Sequence, residues 1–160
     1  MSVPAAPPRA RPTLSVDVST DGVRIAVARD TIRDASLSVL RAERVRQAML
    51  SITFLTPRRM AALNREHLGH RGPTDVISFH FDRPSPNAPL LGDIYICPEV
   101  ARANARENGA SVREELLRLT VHGTLHVMGW EHPVDEERQE SRMWKRQEAL
   151  LAAFMGKLAR

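Results

Sequence analysis

The stretch HGTLHVMGWEH, residues 122–132, constrains the fold of this chain more than any other. It closes a longer run, SVREELLRLTVHGTLHVMG, that reads as one helix. Ser111 and Glu114 make an S-x-x-E capping box at its start, and Gly129 stops it. His122 and His126, four residues apart, then share one helix face a single turn apart. Beyond Gly129 the chain can reverse and bring His132 back to the same point. Three neutral imidazoles leave a fourth tetrahedral position for water, the pattern of a catalytic rather than a structural zinc site. Three of the six histidines of the chain lie in these 11 residues, at ligand spacing, which favours a metal site over unrelated core histidines.

The spacing H-x-x-x-H-x-x-G-x-x-H is that of the metzincin peptidases. In those the residue after the first histidine is a glutamate, the general base. Here it is Gly123, which cannot take a proton. A peptidase reading therefore needs a carboxylate from elsewhere. Three neutral ligands also leave the dipositive charge of the ion uncompensated, which acidifies water and attracts an anion such as a phosphodiester.

The rest of the chain supplies a frame for that helix. LSVDVSTDGVRIAVA alternates apolar and polar residues around Asp21-Gly22 and predicts a hairpin, with its second strand open to being the start of the next helix. A helical pattern follows over 30–46, a strand over 48–56, and a helix from Pro57, with Thr56 as N-cap, to about His67. Strands are expected over 74–81 and 92–97, separated by the proline-rich loop DRPSPNAP. Pro98 opens a helix that Gly109 ends, and a last helix is expected from about Asp135 to Leu158, carrying Met143, Trp144, Leu150, Leu151, Phe154 and Leu158, with its Met and Trp positions read as core. The order predicts an α+β fold, a small mixed sheet packed with helices.

The chain has 160 residues, which suits one compact domain over 13–160 after a Pro/Arg-rich tail, 1–12, expected to be disordered. Cys97 is the only cysteine, so the chain has no disulfide framework, and a reducing compartment is the natural setting. No apolar run reaches the length of a membrane span. The formal charge is +4 and is carried mostly by arginine, which grips phosphate bidentately; an arginine bias without function accounts for it as well.

Several ordered motifs together resemble the YbeY family of bacterial rRNA maturation endoribonucleases. HGTLHVMGWEH matches its H-G-x-L-H-x-x-G-[YW]-[DE]-H signature, LNREHLGHRGPTDVISF its L-N-x-x-Y-R…P-T-D-V-L-S-F segment, LGDIYICPEVARANARENG its G-D-I-x-I stretch, and MWKRQEALL its M-x-x-x-Q-E-x-x-L. The likeness runs from about residue 48 to 155. It implies a cytoplasmic, zinc-dependent endoribonuclease specific for single strands, with one Zn²⁺ per chain held by His122, His126 and His132. It implies processing of the 3′ end of 16S rRNA, ribosome quality control and work on the ribosomal small subunit, with neither DNA nor membrane as a partner. It also implies a zincin-like metal-hydrolase arrangement with the histidine helix near the sheet. Where the family has Tyr-Arg, this chain has His67-Leu68. Arg65 and Arg71 are the nearby guanidinium groups that could contact RNA in place of that arginine.

No side chain is assigned as the base. Asp75 and Asp93 read first as strand residues bonding local backbone and second as carboxylates near the ion; Glu131 is a candidate for orienting a histidine or accepting a proton. Cys97 reads as a small buried hydrophobe, and Arg102 and Arg106 as a solvated helix face. The rival functions are a zincin-type metallopeptidase and a non-catalytic ribosome-assembly factor with a structural metal.

Overall fold

The computed structural model describes residue 5 and residues 11–133 and 136–160. The expected tail falls almost wholly outside the described residues. The elements run β1 (Thr13–Asp21), α1 (Arg29–Ala42), β2 (Gln47–Leu55), α2 (Pro57–Leu68), β3 (Val76–His80), β4 (Leu90–Ile96), α3 (Pro98–Asn108), α4 (Val112–Val127), a 3₁₀ turn (Glu136–Glu140) and α5 (Arg142–Leu158). The strands form one mixed sheet in the order β1-β2-β4-β3, with β1, β2 and β4 parallel and β3 antiparallel to β4. The α+β expectation holds.

Alternation along the strands decides which face is covered. Val16 and Val18 of β1, Leu50, Ile52 and Phe54 of β2, and Leu90, Ile94 and Ile96 of β4 are buried in one core with residues of α1, α4 and α5. On the other face, Met49 is 61% exposed and Leu91 40% exposed. There α2 covers one end only: Met60 packs with Ile77 and Cys97, and Leu63 with the same cluster.

Helix α4 is the hub. It is buried nearly all round, from Leu116 to Val127, as a helix inside a core must be. It lies unusually close to the sheet because each surface offers the other a glycine. Val127 of α4 fills the space above Gly92 of β4, where a Cβ would also meet the Phe79 carbonyl at 3.0 Å. Ile94 of β4 fills the space under Gly123 of α4, where a Cβ would meet Ile94 Cγ2 at 2.7 Å and Ser78 Oγ at 3.2 Å. Gly123→Ala should gain about 1 kcal/mol of helix propensity and lose about 1–3 kcal/mol to overpacking. Ile94 is fully buried and stiff, so the loss should win, and a lowered urea midpoint checks it.

Two expectations are corrected. No hairpin forms at Asp21-Gly22: β1 pairs with β2 in parallel, Val16 opposite Leu50 and Val18 opposite Ile52. Parallel neighbours need a long crossover, which α1 and its flanks provide. The apolar residues Val23, Ile25 and Val27 that suggested a second strand pack into the core from this irregular connection. The last helix starts at Arg142, not near 135, because Ser141 is its N-cap, its Oγ accepting from Trp144 N at 3.1 Å. Asp135 lies outside the described residues. Within α5, Met143 is buried as expected, whereas Trp144 sits half-buried beside a cleft; Leu150, Leu151 and Phe154 are buried too, and Leu158 is 40% exposed.

Candidate metal centre

The three histidines converge. The ring centroids of His122 and His126 are 4.5 Å apart, those of His122 and His132 5.0 Å, and those of His126 and His132 4.9 Å. One nitrogen from each ring lies within 4.8 Å of those of the other two. His122 is buried and the other two are half-buried.

The turn that returns His132 is built by the helix end. Gly129, at φ 97°, takes the left-handed conformation, its N–H bonds the His126 carbonyl at 3.0 Å, and Trp130 N–H bonds the Leu125 carbonyl at 3.1 Å. This is a Schellman closure, and Trp130 packs on the cluster of Val121, Leu125 and Met143 as such closures favour. The glycine that stops the helix therefore also aims the third histidine.

Hydrogen bonds fix which ring nitrogen faces the centre. His132 Nδ1 lies 2.7 Å from the Pro133 carbonyl oxygen, and His122 Nδ1 lies 2.6 Å from Gln147 Oε1. Both oxygens only accept, so both Nδ1 atoms carry the proton and both Nε2 atoms present a lone pair. That is the tautomer a metal ligand needs. The residues therefore fit an ion that prefers imidazole nitrogen, such as Zn²⁺.

Gln147 is buried, at 1% exposure, and its own Nε2 donates to Glu148 Oε2 at 3.1 Å. Glu148 in turn pairs with Arg118, which also holds Glu114 and Glu115. Sequence reasoning about ligands missed Gln147, because a residue 25 positions away carries no spacing signal. The segment MWKRQEALL in which it lies was the available clue. Glu114 explains a second detail: its backbone N–H bonds Ser111 Oγ at 3.0 Å, but its carboxylate serves Arg118 rather than completing the capping box. Gln147→Leu removes the acceptor from a buried N–H and should weaken Zn²⁺ binding about 10–100-fold, with Gln147→Glu restoring it; competition with a chromogenic chelator measures this.

The other candidates separate. A cleft of about 400 Å³ beside the histidines is lined by Leu68, Asp75, Val76, Ser78, His80, Trp130 and Glu131, among others. Among the described residues no arginine or lysine lines it; Arg65 and Arg71 are exposed and lie outside the lining. Leu68 thus forms the wall at the position where a guanidinium was expected. Asp75 bonds locally: its carboxylate accepts from Val76 N at 2.8 Å and from Asn104 Nδ2 at 3.1 Å. It still borders both the histidine cleft and a second cleft of about 510 Å³ that contains His122, Gln147, Arg118 and Trp144. Asp93 is on the open sheet face, accepting from Ser51 Oγ at 2.6 Å. Cys97 is buried beside Met60, and burial pushes its thiol up from the ordinary value, away from the thiolate a ligand requires. Arg102 and Arg106 are exposed on α3.

Comparison with known proteins shows the family. A family model described as "Endoribonuclease YbeY" matches residues 17–155. The Endoribonuclease YbeY of Salinispora tropica is 40% identical over 150 residues, covering 86% of this chain and 89% of that protein. That of Bifidobacterium animalis subsp. lactis is 43% identical over 114 residues, covering 68% of this chain and 62% of that protein. The solution structure of a Thermotoga maritima protein aligns with a TM-score of 0.61 at 21% identity, covering 90% of this chain and 91% of that one, a likeness of fold. With a matching model across most of its length and relatives at this identity, the chain belongs to the Endoribonuclease YbeY family.

Proposed function

We propose that the chain is a zinc-dependent endoribonuclease acting on single-stranded RNA, with the 3′ end of 16S rRNA in the ribosomal small subunit as its substrate and the cytoplasm as its place of work. The observation that carries this reading is the convergence of His122, His126 and His132 with two of the rings locked as Nε2 donors, in a chain whose relatives are named endoribonucleases. Those three residues would hold the ion. When bound, Zn²⁺ supplies an acidified water and a Lewis acid for a phosphate oxygen. Gln147 and the Pro133 carbonyl keep the two Nδ1 protons in place, so that the rings do not reorganise when charge develops. The open cleft, with Leu68 and Val76 on its wall, admits a flexible strand and its bases.

The peptidase alternative is disfavoured by packing as well as by residue type. At position 123 even a Cβ would press on Ile94 Cγ2 at 2.7 Å and Ser78 Oγ at 3.2 Å, so a glutamate there would require the sheet to shift. Of the two carboxylates that line the cleft among the described residues, Asp75 is engaged by Val76 and Asn104, which makes Glu131, exposed at the rim, the candidate proton acceptor. The test is a substrate panel for the zinc-loaded protein: single-stranded RNA should be cut, and duplex RNA, DNA and an unfolded protein should not. Cleavage of the unfolded protein with intact RNA would overturn the reading.

A further inference from the structure

Among the described residues, the cleft that holds the histidines has no arginine or lysine in its wall, yet the chain carries a formal charge of +4. A concentrated group of arginines lies at the opposite edge of the sheet. Arg11, Arg41, Arg44 and Arg46 line a groove of about 770 Å³ together with Pro12, Leu14 and Val45, and among the described residues no acidic side chain lines it. Arg11, Arg41 and Arg44 are exposed, and among the described residues none of these three has an ion-pair partner.

One of the four is held in a conformation that costs free energy. Arg44 follows the end of α1 at φ 61°, the only non-glycine among the described residues with positive φ. The closure is again of Schellman type, with Arg44 N–H on the Arg41 carbonyl at 3.1 Å and Val45 N–H on the Leu40 carbonyl at 2.9 Å. Helices α2, α3 and α4 fill the corresponding position with Gly69, Gly109 and Gly129. An arginine there gives up about 1 kcal/mol that glycine would keep, and a strained residue of this kind is a pointer to function. The strain aims a guanidinium at the mouth of the groove instead of continuing the helix.

We propose that this groove binds the phosphate backbone of single-stranded RNA, apart from the site of reaction. Arginine forks match phosphate oxygens, and the apolar lining suits the face of an unstacked base. β1 and β3 are three strand spacings apart, roughly 14 Å, and Leu14 is offset from Ser78 by four residues, roughly 13 Å, along the strands, a separation that a strand of several nucleotides spans. RNA would then be gripped at one edge of the sheet and cut at the other, which accounts for a reaction cleft with no guanidinium among its described lining residues. The inference rests on RNA being the substrate as proposed above.

The test is fluorescence anisotropy of a labelled 20-nucleotide unstructured RNA with the zinc-loaded full chain over a series of salt concentrations, with RNA integrity checked on a gel and its cleavage rate followed in parallel. A variant combining Arg11→Gln, Arg41→Gln and Arg44→Gly is compared with one of equal charge change, Arg102→Gln, Arg106→Gln and Arg113→Gln. Each phosphate contact of a single strand contributes about 0.7 to the slope of log affinity against log salt, so the groove variant should lose about 2 from that slope and bind at least about tenfold more weakly. The control should keep nearly all of the slope. Thermal melting guards against misfolding, and Arg44→Gly should raise the midpoint. Equal losses in both variants, or RNA binding unchanged in the groove variant, overturn the proposal, the latter leaving the groove to an acidic protein. Groove-dependent binding without cleavage would sink the nuclease reading and leave this one standing; cleavage with groove-independent binding would do the reverse.

Discussion

His126→Ala is expected to abolish both metal retention and RNA cleavage while leaving the fold intact. His126 is half-buried on the last turn of α4, so its removal opens no large core cavity. Two imidazoles remain, and a tetrahedral ion would have to fill half of its coordination shell with water. Loss of a metal that contributes several kcal/mol of charge stabilisation, at about 1.4 kcal/mol per decade, corresponds to a rate loss on the order of a thousandfold or more. The zinc content of purified protein should fall from about one per chain toward zero. A melting midpoint near that of the metal-free wild type would confirm that the fold survives. Full RNA cleavage by this variant would mean that the histidines do not perform the chemistry.

Arg118→Met should destabilise the chain by about 3–5 kcal/mol near neutral pH, the range for orphaning a buried ionic partner. Arg118 contacts Glu114 at 2.9 Å, Glu115 at 2.9 Å and Glu148 at 3.0 Å. The pairs to Glu114 and Glu148 are partly solvated and contribute less; the Glu115 side chain is only 7% exposed and would be left charged and buried. Burial, the largest influence, pushes the Glu115 carboxyl above its ordinary value, and Arg118 opposes that push. A carboxyl with a raised folded-state value contributes stability that is fully present below its unfolded value and is lost as pH rises through the folded value. Without Arg118 the folded value climbs further, so the loss extends to higher pH. Urea denaturation should therefore show a large gap between variant and wild type at about pH 8 and a smaller one at about pH 5. An equal gap at both would show that Glu115 is not the group left behind. Because Glu148 also anchors Gln147, the same variant should bind zinc more weakly.

What the sequence could convey about this molecule follows from the range of each interaction. His122, His126, Gly129 and His132 are joined by local helix and turn geometry, so their convergence was readable from spacing, and so were Thr56, Ser111 and the glycines that cap helices. The hairpin expectation failed because alternation reports that residues face a core and does not name the partner strand; Val23 and Ile25 reach that core without being a strand at all. Gln147 and Arg118 could not be found by spacing, since their roles depend on α5 crossing α4. Gly123 shows the same limit from the other side. From sequence it was a position lacking a base, whereas in the fold it is the place where β4 presses on α4, with no room for a side chain.

The most direct measurement of the central claim is the cleavage of a single-stranded RNA by wild-type protein before metal removal, after chelation, and after zinc is returned. Activity should disappear with the metal and return in proportion to added zinc, saturating near one ion per chain, and His126→Ala should not respond. RNA cleavage that persists undiminished in the metal-free protein, or that is equal in wild type and His126→Ala, would contradict the claim.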